Sequence, residues 1–162
     1  MDLASLMKNP KFRIVPIPTE VADTARRNAA NGLPDHEVVT AADSHSYPCR
    51  HCLQWAEPGE QVILFPYAAI PAGRPYSESG PIFVHAESCR QYAASDEYPS
   101  QFREGRAFRA YNSDSYMIDA QLPNGGDMPE VVIERLFANP DTSFVHARSA
   151  SRGCYTFRIQ RI

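Results

Sequence analysis

The sequence predicts an α+β fold in which two or three short helices pack on a mostly antiparallel β-sheet. Segments rich in Val, Ile and Phe, which favour strands, outnumber the helical segments and do not alternate regularly with them. A chain of 162 residues with 43% hydrophobic and 22% charged residues can bury one core of ordinary size. We therefore expect a single domain over residues 1–162, with residues 1–10 as a loosely ordered N-terminal extension.

The first half of the chain contains one predicted helix and four predicted strands. Thr19 is expected to cap the helix at its N-terminus and Gly32 to end it. The strands are bounded by prolines, glycines or polar turns and cover residues 11–17, 37–42, 61–67 and 81–86. Residues 72–80, which are rich in Gly, Pro and Ser, are expected to form a loop.

The second half is predicted to contain further strands and short helices. Asp127 and Glu130 have the spacing of a capping box, so a helix is expected to follow and to end at Ala138, before Asn139-Pro140. A short helix or turn is expected over residues 87–92 and another over residues 99–105. The predicted strands are residues 106–111 and 116–122, then a hairpin of 143–149 and 154–162.

Composition argues against nucleic acid and membrane as partners. The net charge of −3 gives no general attraction to polyanions. The N-terminus lacks the basic start and apolar run of a signal peptide, and the longest apolar stretch, residues 62–70, is far too short to span a bilayer. We expect a soluble cytoplasmic protein, in which thiols are reduced and more often bind metal, catalyse or pack than form disulfides.

Four residues have the spacing of a metal site. Cys49 and Cys52 form a Cys-x-x-Cys turn, and His85 at a strand end is followed by Cys89. Zinc takes four such ligands in a tetrahedron, and four protein ligands close the site, as in structural rather than catalytic centres. The pattern predicts a non-enzymatic module with a structural Cys3His zinc site, in which His51 points outward from its turn.

Two other interpretations of the same residues remain open. The cysteines can be small core residues and His85 a hydrogen-bonded strand histidine. Thioredoxin-like chemistry at the Cys-x-x-Cys motif fits less well, because Pro58-Gly59 leaves too little chain for the helix that lowers the pKa of the first thiol.

The C-terminal hairpin suggests a different function. Arginines concentrate here without acids, and guanidinium groups bind carboxylates and phosphates through paired hydrogen bonds. The alternative hypothesis is a binding protein or enzyme for a small anionic ligand, held by Arg109, His146, Arg148 and Arg158. A solvated arginine face that pairs with nearby acids is the simpler explanation.

Strand alternation tests whether His146 and Cys154 can form a catalytic dyad. An even-length turn over residues 150–153 pairs even-numbered residues of the first strand with odd-numbered residues of the second. His146 then shares a face with Tyr155, Phe157 and Ile159, while Cys154 points the other way with Arg158. A dyad is not expected unless a bulge intervenes.

Together these segments resemble a bacterial family, domain of unknown function 1203. The resemblance covers about residues 11–162 and is carried by Tyr47-Pro-Cys-Arg-His-Cys-Leu53, Gly59-Glu60, Pro75-Tyr76, Gly80-Pro-Ile-Phe-Val-His85 with Cys89, Arg109-Ala-Tyr111, Phe144-Val-His-Ala-Arg148, Arg152-Gly-Cys-Tyr155, Phe157 and Arg161. It implies a single-domain bacterial protein of this length and implies no activity, substrate or ligand.

Overall fold

The computed structural model describes residues 12–162, so the prediction for residues 1–10 lies outside the described residues. Two α-helices occur there, α1 (Thr19–Ala30) and α2 (Pro129–Phe137), with a short 3-10 turn at Ser100–Phe102. The strands are β1 (Phe12–Val15), β2 (Glu37–Thr40), β3 (Gln61–Ile70), β4 (Glu78–His85), β5 (Arg106–Tyr111), β6 (Met117–Gln121), β7 (Phe144–Ser149) and β8 (Tyr155–Arg161). The α+β prediction is confirmed.

The strands divide into two antiparallel sheets. The larger has the order β1-β8-β7-β5-β6 and therefore joins both ends of the described chain. The smaller has the order β2-β3-β4. Its longest pairing joins β3 to β4 through a loop shorter than predicted, because β4 already begins at Glu78.

Each sheet has its own apolar cluster. Helix α2 packs Val132, Ile133 and Leu136 against the larger sheet, where Phe108 and Phe157 are buried. Helix α1 covers the smaller sheet through Ala22 and Ala25, which pack with Ile63, Phe65 and Val84. Tyr155 of β8 joins this second cluster, so the two sheets meet along β8.

Three local predictions are wrong at helix ends. Pro18, rather than Thr19, is the N-cap of α1, and the Thr19 hydroxyl contacts His51 instead. Asp127 does not cap α2 but accepts a hydrogen bond from the Asn124 backbone at 2.9 Å. Residues 87–92 contain one bend and no helix, and the Tyr92 N–H donates to the His51 carbonyl at 2.9 Å.

The C-terminal hairpin departs from the predicted side-chain alternation. Arg148 pairs with Tyr155 as an even-length turn requires, but the register shifts between Ala147 and Arg148. Beyond this β-bulge, His146 pairs with Arg158 instead of sharing a face with Phe157 and Ile159. The apolar face predicted for the last strand is therefore split, because Tyr155 lies in the α1 cluster while the other two lie in the α2 cluster.

Membrane crossing by a helix is not supported by residues 12–162. Neither α1 nor α2 combines the length and the apolar content that a bilayer-spanning helix requires.

Candidate metal centre

The Cys49–Cys52 turn is held in place by backbone hydrogen bonds. The Leu53 N–H donates to the Cys49 carbonyl at 2.9 Å, and Leu53 adopts a left-handed backbone with φ of 57°. Cys49 also forms a parallel bridge with Phe83 of β4. The turn is therefore anchored beside β4, two residues before that strand ends at His85.

The four predicted ligands converge at the end of β4. One donor atom from each of Cys49, Cys52, His85 and Cys89 lies within 4.8 Å of every other. Cys49 Sγ is 3.8 Å from Cys89 Sγ, and Cys52 Sγ is 3.4 Å from His85 Nδ1. The cysteines are free thiols, so the sulfurs are not joined as a disulfide. This Cys3His cluster can hold a metal ion.

The spacing of the cluster matches tetrahedral coordination. With metal–sulfur bonds of about 2.3 Å, tetrahedral geometry separates two sulfur ligands by about 3.8 Å, as observed for Cys49 and Cys89. A sulfur and an imidazole nitrogen are then about 3.6 Å apart, close to the Cys52–His85 separation. The set of three sulfurs and one nitrogen suits Zn²⁺ better than Mg²⁺ or Ca²⁺, which take oxygen ligands.

His51 does not point outward, and that prediction is wrong. Its side chain is buried, with Nδ1 at 3.1 Å from Cys89 Sγ and Nε2 at 2.8 Å from Thr19 Oγ1. In the tautomer that donates from Nδ1 to Cys89 Sγ, Nε2 accepts from the Thr19 hydroxyl. Helix α1 thus fixes the orientation of His51, and His51 fixes Cys89.

Two charged side chains complete the surroundings of the cluster. Arg26 of α1 donates from Nη2 to Cys89 Sγ at 3.4 Å and from Nε to the His85 carbonyl at 3.0 Å. Glu60 Oε1 lies 3.6 Å from Nε2 of His85, on the side of the ring away from the sulfurs. Such contacts orient metal ligands in known centres. A Zn²⁺ site with three thiolates has a net charge of −1, which Arg26 offsets.

The cluster favours thiolate at Cys49. Hydrogen bonds from Cys52, and then from Cys89, lower the pKa of the Cys49 thiol despite its burial. Hydrogen bonds to Cys49, and then to Cys89, raise the pKa of His85 to about 10. Thiolate at Cys49 and imidazolium at His85 therefore favour each other, and a metal ion bound here would displace the protons of its ligands.

The surroundings of Cys49 and Cys52 do not match those of a thioredoxin-like centre. Cys49 is fully buried, whereas a redox-active first thiol has to be accessible to its substrate. Residues 50–52 form a turn, and no helix follows them.

The residues predicted to bind an anion also lie together. Arg109, His146 and Arg158 are cross-strand partners in adjacent strands of the larger sheet. Arg148 is buried and donates from Nη1 to Glu78 Oε1, and Arg109 Nη1 lies 3.8 Å from Glu78 Oε2. The Arg158 guanidinium stacks 3.9 Å from the centre of the Phe144 ring. Glu78 of β4 thus occupies a place that a ligand carboxylate would take, and anion binding here stays a prediction.

His146 is expected to make the protein sensitive to acid. Burial above all, and then Arg148, lowers the pKa of His146 to about 2 from an ordinary value of 6.5. Unfolding exposes the ring, so between these pH values the unfolded state binds the extra proton and stability falls as pH falls. The slope is up to about 1.4 kcal/mol per pH unit. Urea unfolding at a series of pH values should show a shallower slope for His146→Gln.

The exposed His45 provides the control for this experiment. His45→Gln should keep the wild-type slope, because the substitution leaves the buried His146 in place. Loss of metal in acid affects all three proteins alike, so it cancels in their comparison. An unchanged slope in His146→Gln would contradict the assignment.

Cys154 does not join His146. Cys154 lines a cleft beside Arg50 and Arg106, and His146 does not line this cleft. The Cys154 Sγ is 4.0 Å from the Arg152 carbonyl oxygen. A β-bulge, which was the condition for a dyad, is present between Ala147 and Arg148. Cys154 Sγ nevertheless contacts the Arg152 carbonyl in the hairpin turn.

Fold and site together define an α+β protein with a partly buried Cys3His cluster at the junction of a helix, a turn and a strand end. The family model described as "Protein of unknown function (DUF1203)" matches residues 46–161, and the chain belongs to this family. The matched segment contains all four members of the cluster. Comparison with curated proteins and with solved structures gives no match.

Proposed function

We propose that the protein is a non-enzymatic module whose Cys3His cluster binds one structural Zn²⁺ ion in a reducing, cytoplasmic environment. The observation that carries the proposal is the convergence of the four donor atoms within 4.8 Å, at separations that fit a tetrahedron. Four protein ligands leave no open position for substrate or activated water.

The position of the cluster supports a structural role. Its ligands come from the turn before β3 and from the end of β4, so one ion links two segments that are distant in sequence. Arg26 and His51 connect the same point to α1. Zinc therefore stabilises the packing of α1, the turn and the smaller sheet as a unit. A surface depression that reaches His85 and Cys89 provides a route by which the ion enters.

Metal analysis of protein purified without a polyhistidine tag tests the proposal. We expect about one zinc per chain, and cobalt substitution should give the visible absorption of a tetrahedral thiolate site. A zinc content below about 0.2 per chain, unchanged after zinc is supplied under reducing conditions, would contradict a closed site.

Cys154→Ala provides the matched control. This cysteine lies outside the cluster, so its removal should leave both the zinc content and the cobalt spectrum unchanged. A change in either would place the bound metal elsewhere.

A further inference from the structure

A cleft of about 340 Å³ lies between the two sheets, on the side where the β7–β8 turn faces β3 and β4. Its walls come from five residues between His45 and Trp55 that do not include Cys49 or Cys52, from Leu64, Pro81 and Phe83, and from the turn that contains Arg152 and Cys154. The volume is within the range of small-molecule sites. None of the zinc ligands lines the cleft, so it is separate from the proposed metal centre.

The polar lining of the cleft is cationic. Three arginines, Arg50, Arg106 and Arg152, contribute to it together with serine hydroxyls, and no Asp or Glu does. Two other buried or half-buried arginines differ, since Arg103 pairs with Glu130 and Arg148 with Glu78. Among the described residues, no carboxylate lies within ion-pair distance of any of the three.

Among the three arginines of the cleft, Arg50 gives the strongest indication that an anion binds there. Its side chain is only 4% exposed, and it donates to two neutral carbonyls, those of Tyr155 at 2.8 Å and Pro48 at 2.7 Å. Nη2 donates to no protein atom in the described part of the chain. An arginine is rarely buried without an anion, because desolvating the charge is unfavourable.

Arg106 adds a second positive charge at the same place. Its Nη1 donates to Thr156 Oγ1 at 2.8 Å, while its buried Nε has no partner. The guanidinium lies 5.9 Å from the Trp55 ring centre, which fixes its orientation. Two guanidinium groups thus line the same cleft, an arrangement that suits an oxyanion.

We propose that this cleft binds a small organic anion, whose carboxylate or phosphate contacts the three arginines while its apolar body packs on Trp55 and Phe83. The apolar wall, to which Leu64 also contributes, is larger than an inorganic ion would use. The hydroxyls of Ser149 and Ser151 supply further donors at the mouth.

Binding is tested with four probes on zinc-loaded wild-type protein: benzoate, phenyl phosphate, inorganic phosphate and the neutral analogue benzamide. Thermal shift measures binding, because a ligand of the folded state raises Tm. Alkylation of Cys154 by iodoacetamide, followed by peptide mass spectrometry, reports whether the cleft is the place of binding. We expect benzoate or phenyl phosphate at about 10 mM, above a millimolar Kd, to raise Tm and to slow alkylation. Benzamide should do neither.

The probe that protects Cys154 identifies the oxyanion of the ligand as a carboxylate or a phosphate. Protection by phenyl phosphate alone indicates a phosphate ligand, and protection by benzoate alone indicates a carboxylate. Inorganic phosphate should bind more weakly than phenyl phosphate, because it lacks a group for the apolar wall. Equal binding of phenyl phosphate and inorganic phosphate would overturn the proposed packing of the ligand's apolar body on Trp55 and Phe83. Added salt should weaken the effective probe, as screening requires.

Two variants localise the contacts. Arg152→Ala removes an exposed side chain, and Arg106→Gln keeps a donor toward Thr156 without the charge. Each should weaken binding of the effective probe about tenfold or more. Arg135→Ala, at an exposed position on α2, should bind as the wild type does. Circular dichroism and zinc content verify that each variant is folded.

Three results would overturn the proposal. They are the absence of any shift with both benzoate and phenyl phosphate, equal protection of Cys154 by benzamide, and wild-type affinity in both arginine variants.

Discussion

Replacing Cys49 with alanine is expected to abolish stoichiometric zinc binding and to lower Tm by about 8–16 °C. An ion present at a thousandfold excess over its Kd contributes about 4 kcal/mol to the free energy of unfolding. In a domain of this size, 1 kcal/mol corresponds to about 2–4 °C in Tm. Cys49 is the most buried member of the cluster, so its loss also leaves a small cavity beside Val84 and Ile82. Differential scanning calorimetry and metal analysis measure the two effects.

A chelator separates the loss of metal from the loss of packing. Treating the wild type with a strong zinc chelator should lower its Tm toward that of Cys49→Ala, and the same treatment should leave the variant unchanged. Cys154→Ala should keep both its zinc and its response to the chelator, because its sulfur is outside the cluster. If the chelator removed the metal and left the wild-type Tm unchanged, the ion would have no structural role.

The four members of the cluster were predictable from the sequence because their chemistry is local. A Cys-x-x-Cys turn directs two sulfurs to one point, and a strand end followed by Cys89 directs two more donors. His51 was misplaced for a physical reason. Its neighbours in space, Thr19 and Arg26, belong to a helix far away in sequence, and no local pattern places that helix beside the turn.

The C-terminal hairpin was also predicted only in part, because one of its features depends on contacts that the local sequence does not contain. Turn length alone sets the pairing of Arg148 with Tyr155, and this part was correct. The β-bulge between Ala147 and Arg148 depends on which residues each face of the hairpin contacts. It turns Tyr155 toward the smaller sheet and leaves Phe157 in the larger core. Arg50 is a comparable case, since a charged residue inside a Cys-x-x-Cys turn gives no sign in the sequence that it will line a buried cleft.

Glu78→Gln is expected to destabilise the protein by about 3 kcal/mol. Removing one partner of a buried ion pair leaves the other charge uncompensated, at a cost of about 3–5 kcal/mol. Arg148 is 1% exposed, but about a third of the Glu78 side chain is exposed, so the lower end of that range applies. Arg109 loses its nearest carboxylate in the same substitution. Urea denaturation of the zinc-loaded proteins measures the change.

An exposed ion pair of the same chain provides the control. Arg74 and Asp114 are 3.9 Å apart and both are more than half exposed, so Asp114→Asn should change stability by less than about 1 kcal/mol. Equal effects of the two substitutions would contradict a buried, stabilising role for Glu78.

The Glu78→Gln variant also tests whether the arginines around His146 can accept an outside anion. With the internal carboxylate neutralised, Arg148 and Arg109 lose their carboxylate partner, and an outside carboxylate or phosphate would restore part of the lost stability only if it reached them. We expect phosphate at about 10 mM to stabilise the variant no more than the wild type, because Arg148 and His146 are closed off from solvent. Selective stabilisation of the variant would instead favour anion binding at Arg109, His146, Arg148 and Arg158.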